Sequence, residues 1–170
     1  MPLIQYLSRI PFDFGAISGL SEEIEGLGLK RPLLITDKGV ADAGLLQRAL
    51  DAAPQVDIVV YDRTTENPTE QSLLECMDIW NDKGCDGLIA LGGGSPTDLS
   101  KAVALISSHG GHFADYNVKI GGSERIGKVS PQIAIPTAAG TGAEVGRACV
   151  LSLLNGSKVV AVNLNMVADV

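Results

Sequence analysis

The sequence predicts an α/β fold, a Rossmann-like parallel sheet flanked by helices with a β-hairpin towards the C-terminus. Three observations carry this. Apolar blocks of strand length alternate with helix-length amphipathic segments, the pattern of a parallel sheet covered by helices. Gly92-Gly93-Gly94 stands between one such block and a helical pattern, as glycines do at strand-to-helix turns of doubly wound folds. Asn155-Gly156 separates two apolar runs, and this dipeptide best tolerates the two positive-φ positions of a tight hairpin turn.

In chain order, residues 17–27 read as a short helix, 32–36 as a strand and 42–50 as a helix. A second strand is expected at 56–61. Residues 70–83 place Leu73, Leu74, Met77 and Trp80 on one helical stripe. Strand 87–91 precedes a helix running towards Ile106, with Ser95 as its expected N-cap, Pro96 in its first position and Asp98 as first-turn charge. Asn67-Pro68-Thr69-Glu70 reads as a cap for the 70–83 helix, with Asn67 at N-cap and Glu70 in capping-box spacing. A fourth strand falls at 132–135, and the runs 148–154 and 158–162 form the hairpin.

The 170 residues suffice for one domain with one core, here spanning 1–170, and 45% hydrophobic with 19% charged residues describes an ordinary globular chain. A net charge of −7 repels phosphate backbones and anionic lipid, which argues against nucleic-acid and membrane partners and for a small ligand. Cys76, Cys85 and Cys149 include no CxxC pair and read as reduced thiols of a cytoplasmic protein. The opening residues lack a basic segment followed by an apolar one, and no apolar run is long enough to span a bilayer. His109 and His112 are too few for most metal sites, and no nucleophilic triad or carboxylate pair can be assembled, so no catalytic residue is assigned.

Binding residues are easier to find. Gly93, Gly94 and Ser95 would let backbone amides at a helix start approach a phosphate. Residues 135–144, Ile-Pro-Thr-Ala-Ala-Gly-Thr-Gly-Ala-Glu, form a second small-residue loop after a strand. In doubly wound folds ligands sit outside the carboxyl ends of the strands, so the two loops can converge on one ligand. Asp37, at the end of the first strand, suits ribose hydroxyls or an N-cap equally. Lys158 follows the hairpin turn and reads as an exposed lysine.

Four segments in this order, Ile35-Thr36-Asp37-Lys38-Gly39, Asn67-Pro68-Thr69, Gly92-Gly93-Gly94-Ser95-Pro96-Thr97-Asp98 with Lys101, and Ile135-Pro136-Thr137 through Glu144-Val145, resemble the iron-containing (group III) alcohol dehydrogenases. The resemblance covers essentially the whole chain. Residues 6–15, from Tyr6, and 35–39 look most like the 4-hydroxybutyrate dehydrogenase subgroup.

The resemblance implies the dinucleotide half of an enzyme that transfers hydride between a primary alcohol or hydroxy acid and NAD, with NADP less suited. Gly93, Gly94 and Ser95 would hold the pyrophosphate, Asp37 the adenosine ribose, Thr137 and Thr141 the phosphates and nicotinamide end, and Asn67 and Lys158 the nicotinamide ribose. Ala138 and Ala143 depart from the family pattern, where hydroxyl residues are common. Iron or zinc is implied for the intact enzyme, as a Lewis acid on the substrate alcohol, but the metal-binding helical domain and its ligands are absent here. The chain is therefore expected to be truncated before that domain and inactive alone. Alternatives are the dehydroquinate synthase and glycerol-phosphate dehydrogenase branches and a non-catalytic nucleotide-binding module. Loops 92–95 and 137–145, with the apolar end 159–170, are expected to leave an apolar face that drives homo-oligomerisation.

Overall fold

In the computed structural model, residues 8–170 are described; Tyr6 and the other residues of 1–7 lie outside the described residues. Four parallel strands, β1 (Pro32–Ile35), β2 (Val59–Tyr61), β3 (Gly87–Gly92) and β4 (Gln132–Pro136), form a sheet in the order β2-β1-β3-β4. Leu33 pairs with Val59 on one side and Leu88 on the other, and Ile89 pairs with Ile133. Every residue of β1 and β3 is buried. Central parallel strands are covered on both faces, which is why these two read as continuous apolar runs.

Alternate side chains divide the interior. Leu34, Ile89, Leu91 and Ile133 pack on one face against α1 (Leu20–Gly26) and α3 (Leu45–Asp51). Leu33, Ile35 and Leu88 pack on the other with α4 (Glu70–Lys83), α5 (Gly94–His109) and the hairpin. The hairpin pairs β5 (Ala148–Ser152) with β6 (Lys158–Val162), and Cys149, Leu151, Val159 and Ala161 point inward.

Several local expectations are corrected. The 42–50 helix is two, α2 (Lys38–Asp42) and α3, parted at Gly44, whose φ of 78° breaks helical geometry. The 17–27 helix begins as a 3-10 turn at Ala16–Gly19. Strand 56–61 shrinks to β2. Asn67 does not cap α4: its φ of 57° is left-handed, and Thr69 is the cap, its hydroxyl accepting from Ser72 N–H at 3.2 Å. Ser95 is likewise inside α5, whose N-cap is Gly93. The hairpin turn needs only one positive φ, 82° at Gly156. Asn155 contributes through its side-chain oxygen, which accepts from Ser157 N–H at 2.9 Å and from the Ser157 hydroxyl at 2.7 Å. A five-residue connection, residues 153–157, with glycine in the left-handed position replaces the expected tight turn.

The 159–170 segment is not an exposed apolar face. Val159, Ala161, Met166 and Ala168 are buried, so the hairpin spends its apolar side covering α5. His109 ends α5, its Nδ1 lies 3.2 Å from the Leu105 carbonyl, and its Nε2 accepts from Gly127 N–H at 2.9 Å.

Candidate functional site: a phosphate cradle at the strand ends

The connections place one crevice. After β1 the chain moves to β2 on one side, and after β3 it moves to β4 on the other. The loops leaving β1 and β3 therefore diverge, and such a reversal is where doubly wound sheets bind ligands. Asp37 leaves β1 there and Gly92-Gly93-Gly94 leaves β3.

The glycines differ in what they do. Gly92 has φ of 148°, and a Cβ on it would come within 2.7 Å of the Pro96 ring, so the fold itself requires glycine. A Cβ on Gly93 would meet nothing within 4 Å. One on Gly94 would sit 3.5 Å from the Thr141 methyl, an ordinary contact. The space above Gly93 is thus open, and it faces the start of a 16-residue helix that no side chain caps. Unpaired N–H groups and the partial positive charge of a helix start suit a phosphate. These residues fit a dinucleotide's pyrophosphate.

Neighbouring segments close on this cradle. Thr137 N–H donates to the Gly92 carbonyl at 3.1 Å, joining the β4 loop to the glycine loop. Thr141 lies against Gly94, and its hydroxyl accepts from Ala143 N–H at 3.4 Å. Asn67 N–H donates to the Ser95 hydroxyl at 3.3 Å. Its left-handed backbone, tolerated by asparagine, aims that N–H at the cradle instead of starting α4. Asp37 caps α2, with Oδ1 accepting from Val40 N–H at 2.9 Å. Its cap reading therefore holds, and one oxygen remains for a ligand.

Lys158 is brought near by register alone. It is exposed, opposite Ser152, and Ser152 N–H donates to the Pro68 carbonyl at 3.0 Å. Leu154 N–H also donates to the Glu70 carboxylate at 2.9 Å, so the hairpin leans on the Asn67 corner. Lys158 makes no hydrogen bond to the other candidate residues.

Behind the cradle lie two groups whose roles are not evident from local sequence. Asp98 Oδ2 accepts from Val150 N–H at 3.1 Å, and Lys101, 1% exposed, points its ammonium into backbone carbonyls of residues 143–148. Burial raises the Asp98 carboxyl above its ordinary value, against the pull of Val150 N–H and Lys101. Burial lowers Lys101, against Cys149, Asp98 and Glu144. The available signal was two charges spaced i, i+3 in an otherwise apolar run. Among the described residues no group of three or more His, Cys, Asp or Glu side chains could hold a metal ion.

Comparison with known proteins bears on this geometry. Residues 8–170 match the sequence profile described as iron-containing alcohol dehydrogenase. The chain belongs to that family. It is 46% identical over 159 residues to the 4-hydroxybutyrate dehydrogenase of Cupriavidus necator, a match covering 93% of this chain and 42% of the relative. It is 36% identical to the lactaldehyde reductase of Escherichia coli K12, over 79% of this chain and 35% of that one. Among solved structures, a 1,3-propanediol oxidoreductase aligns with a TM-score of 0.87 at 30% identity, covering 99% of this chain and 44% of its own. A sulfoacetaldehyde reductase from Bifidobacterium kashiwanohense, in complex with NAD+, aligns at 0.83 and 29%, covering 99% and 45%. This iron-containing alcohol dehydrogenase chain thus spans less than half the length of these relatives, and its α/β architecture is that of their matching portions.

Proposed function

We propose that residues 1–170 are the NAD-binding portion of a dehydrogenase acting on a primary alcohol or hydroxy acid. The observation that carries this is the uncapped start of α5, opening on the empty space above Gly93 at the divergence of β1 and β3. Gly93, Gly94 and Ser95 hold the pyrophosphate through backbone amides. Asp37 accepts from the adenosine ribose hydroxyls and repels a 2′-phosphate, favouring NAD over NADP. Thr137 and Thr141 flank the phosphates and the nicotinamide end, while Asn67 and Lys158 lie towards the nicotinamide ribose.

The bound nicotinamide supplies the hydride acceptor; this chain's residues bind and orient it. An iron or zinc implied by the family would be held by residues outside this chain, which offers no ligand set among its described residues. The name of the Cupriavidus necator relative supports a hydroxy acid as substrate. Three free, buried cysteines suit a reducing cytoplasm. No described helix is long and apolar enough to cross a membrane. Homo-oligomer formation is supported by Ile10 and Phe12, 54% and 95% exposed at the rim of a cavity of about 580 Å³ beside β4.

Calorimetric titration with NAD and NADP tests the binding role, and incubation with NAD, 4-hydroxybutyrate and ferrous or zinc ions tests for turnover. Saturable NAD binding, weaker NADP binding and no turnover are expected. Absence of NAD binding, or turnover by this chain with stoichiometric metal, would contradict the proposal.

A further inference from the structure

Lys101 sits on α5 among Leu99, Ala102 and Val103, all fully buried, and is itself almost fully buried. A buried ammonium is costly without hydrogen-bond acceptors. Its Nζ donates to the carbonyls of Ala143, at 2.6 Å, and Gly146, with that of Ala148 at 3.5 Å. The first two lie on the segment joining the Thr137–Thr141 loop to β5, and Ala148 opens β5 itself. Between Pro136 and Ala148 there is no regular secondary structure. The segment's internal support amounts to Gly146 N–H on the Ala143 carbonyl and Ala143 N–H on the Thr141 hydroxyl. One turn before Lys101, Asp98 takes Val150 N–H from the strand that follows. The helix whose start forms the phosphate cradle thus grips the opposite loop with one charge of each sign.

We infer that Lys101 is a positioning residue, its ammonium fixing the Thr137–Thr141 side of the site against α5. Its functional consequence, though not the grip itself, rests on the dinucleotide reading. A carbonyl trio gathered around an ammonium loses its common donor when the charge is removed, and each carbonyl can then turn to water. The loop is freed while the four-stranded parallel sheet, to which no Lys101 hydrogen bond goes, keeps its pairing.

Lys101→Met keeps most of the stem volume and removes the ammonium. Arg147, exposed within the segment, offers a tryptic site that reports its order. In the folded variant, cleavage after Arg147 is expected to accelerate at least tenfold, amide exchange across 138–147 to rise, and NAD affinity to fall about tenfold. In Lys101→Ala, propylammonium is expected to slow the cleavage and 1-propanol, of similar shape but uncharged, is not. Wild-type chain labelled with 15N should show one lysine ammonium whose protons exchange slowly at neutral pH, a measurement independent of any variant's folding.

Unchanged Arg147 cleavage in folded Lys101→Met, rescue by both additives, or no slowly exchanging lysine ammonium would each overturn the inference. Faster cleavage with undiminished NAD affinity would overturn its functional half. Wild-type chain that fails to bind NAD, while the cleavage difference holds, would reject the dinucleotide reading and leave the grip standing.

Discussion

Adjacent glycines in the cradle should fail in opposite ways when given a methyl group. In Gly92→Ala the new Cβ would lie 2.7 Å from Pro96 Cγ and 3.3 Å from its Cβ, on a backbone with φ of 148°. Pro96 is buried and its ring cannot swing aside. Backbone strain of roughly 1–3 kcal/mol adds to overpacking of roughly 1–3 kcal/mol. That is a large share of the roughly 5–15 kcal/mol that holds a typical domain together, and the melting temperature should fall by on the order of 10 °C. In Gly93→Ala the methyl meets no protein atom within 4 Å, so stability should hold. It would instead occupy the space proposed for phosphate. Losing a charge-assisted hydrogen bond costs roughly 1.5–3 kcal/mol, which weakens NAD binding about 10- to 150-fold. Thermal unfolding and calorimetric titration of both variants separate the effects. Gly93→Ala binding NAD within twofold of wild type would remove the phosphate from this loop, and Gly92→Ala melting with wild type would refute the steric argument.

Asp37→Ser keeps an N-cap on α2 while removing the charge, so the preference for NAD over NADP should narrow about tenfold, equivalent to roughly 1.4 kcal/mol, at an unchanged melting temperature; competitive binding of the two dinucleotides measures it. Burial pushes the Tyr61 hydroxyl, which donates to Glu75 Oε2 at 3.1 Å, up to about 12. The folded chain then keeps that proton between pH 10 and 12 while the unfolded chain loses it, so stability should fall as pH rises through this window. Urea unfolding at pH 9 to 12 should show the fall in wild type and a shallower one in Tyr61→Phe, where the Cys76 and Cys149 thiols, also pushed up by burial, still contribute. Sedimentation over a concentration series should show self-association that Phe12→Ser weakens; a wild-type chain monomeric throughout would reject the exposed Phe12 rim as an interface.

The residue pattern alone carries the alternating α/β architecture, the hairpin and the order of the candidate motifs. Those signals are local and repeated: buried parallel strands must be apolar throughout, as at Leu33, Leu34, Leu88 and Ile89, and strand-to-helix turns need glycine where φ is positive, as at Gly92. Local choices between near-equal residues were not legible. Asn67 and Thr69 can each cap α4, and the decision goes to Thr69 where Asn67 turns left-handed towards Ser95 and the hairpin bonds to Pro68. Asn155 and Gly156 mark the turn, yet a five-residue crossing from Ser152 to Lys158 lets glycine alone take the positive φ.

Where the hairpin goes, and with it the fate of residues 159–170, depends on long-range packing. Its apolar side is spent on α5, which buries Val159 and Ala161 and carries Lys158 to the Asn67 corner. Packing also turned Asp98 and Lys101, ordinary helix charges by sequence, into a half-buried carboxylate and a buried ammonium holding residues 143–150, more than 40 positions away in sequence. Periodicity shows which face of a helix is apolar, but the partner that covers a buried charge comes from elsewhere in the chain, and its carbonyls are the same in every sequence.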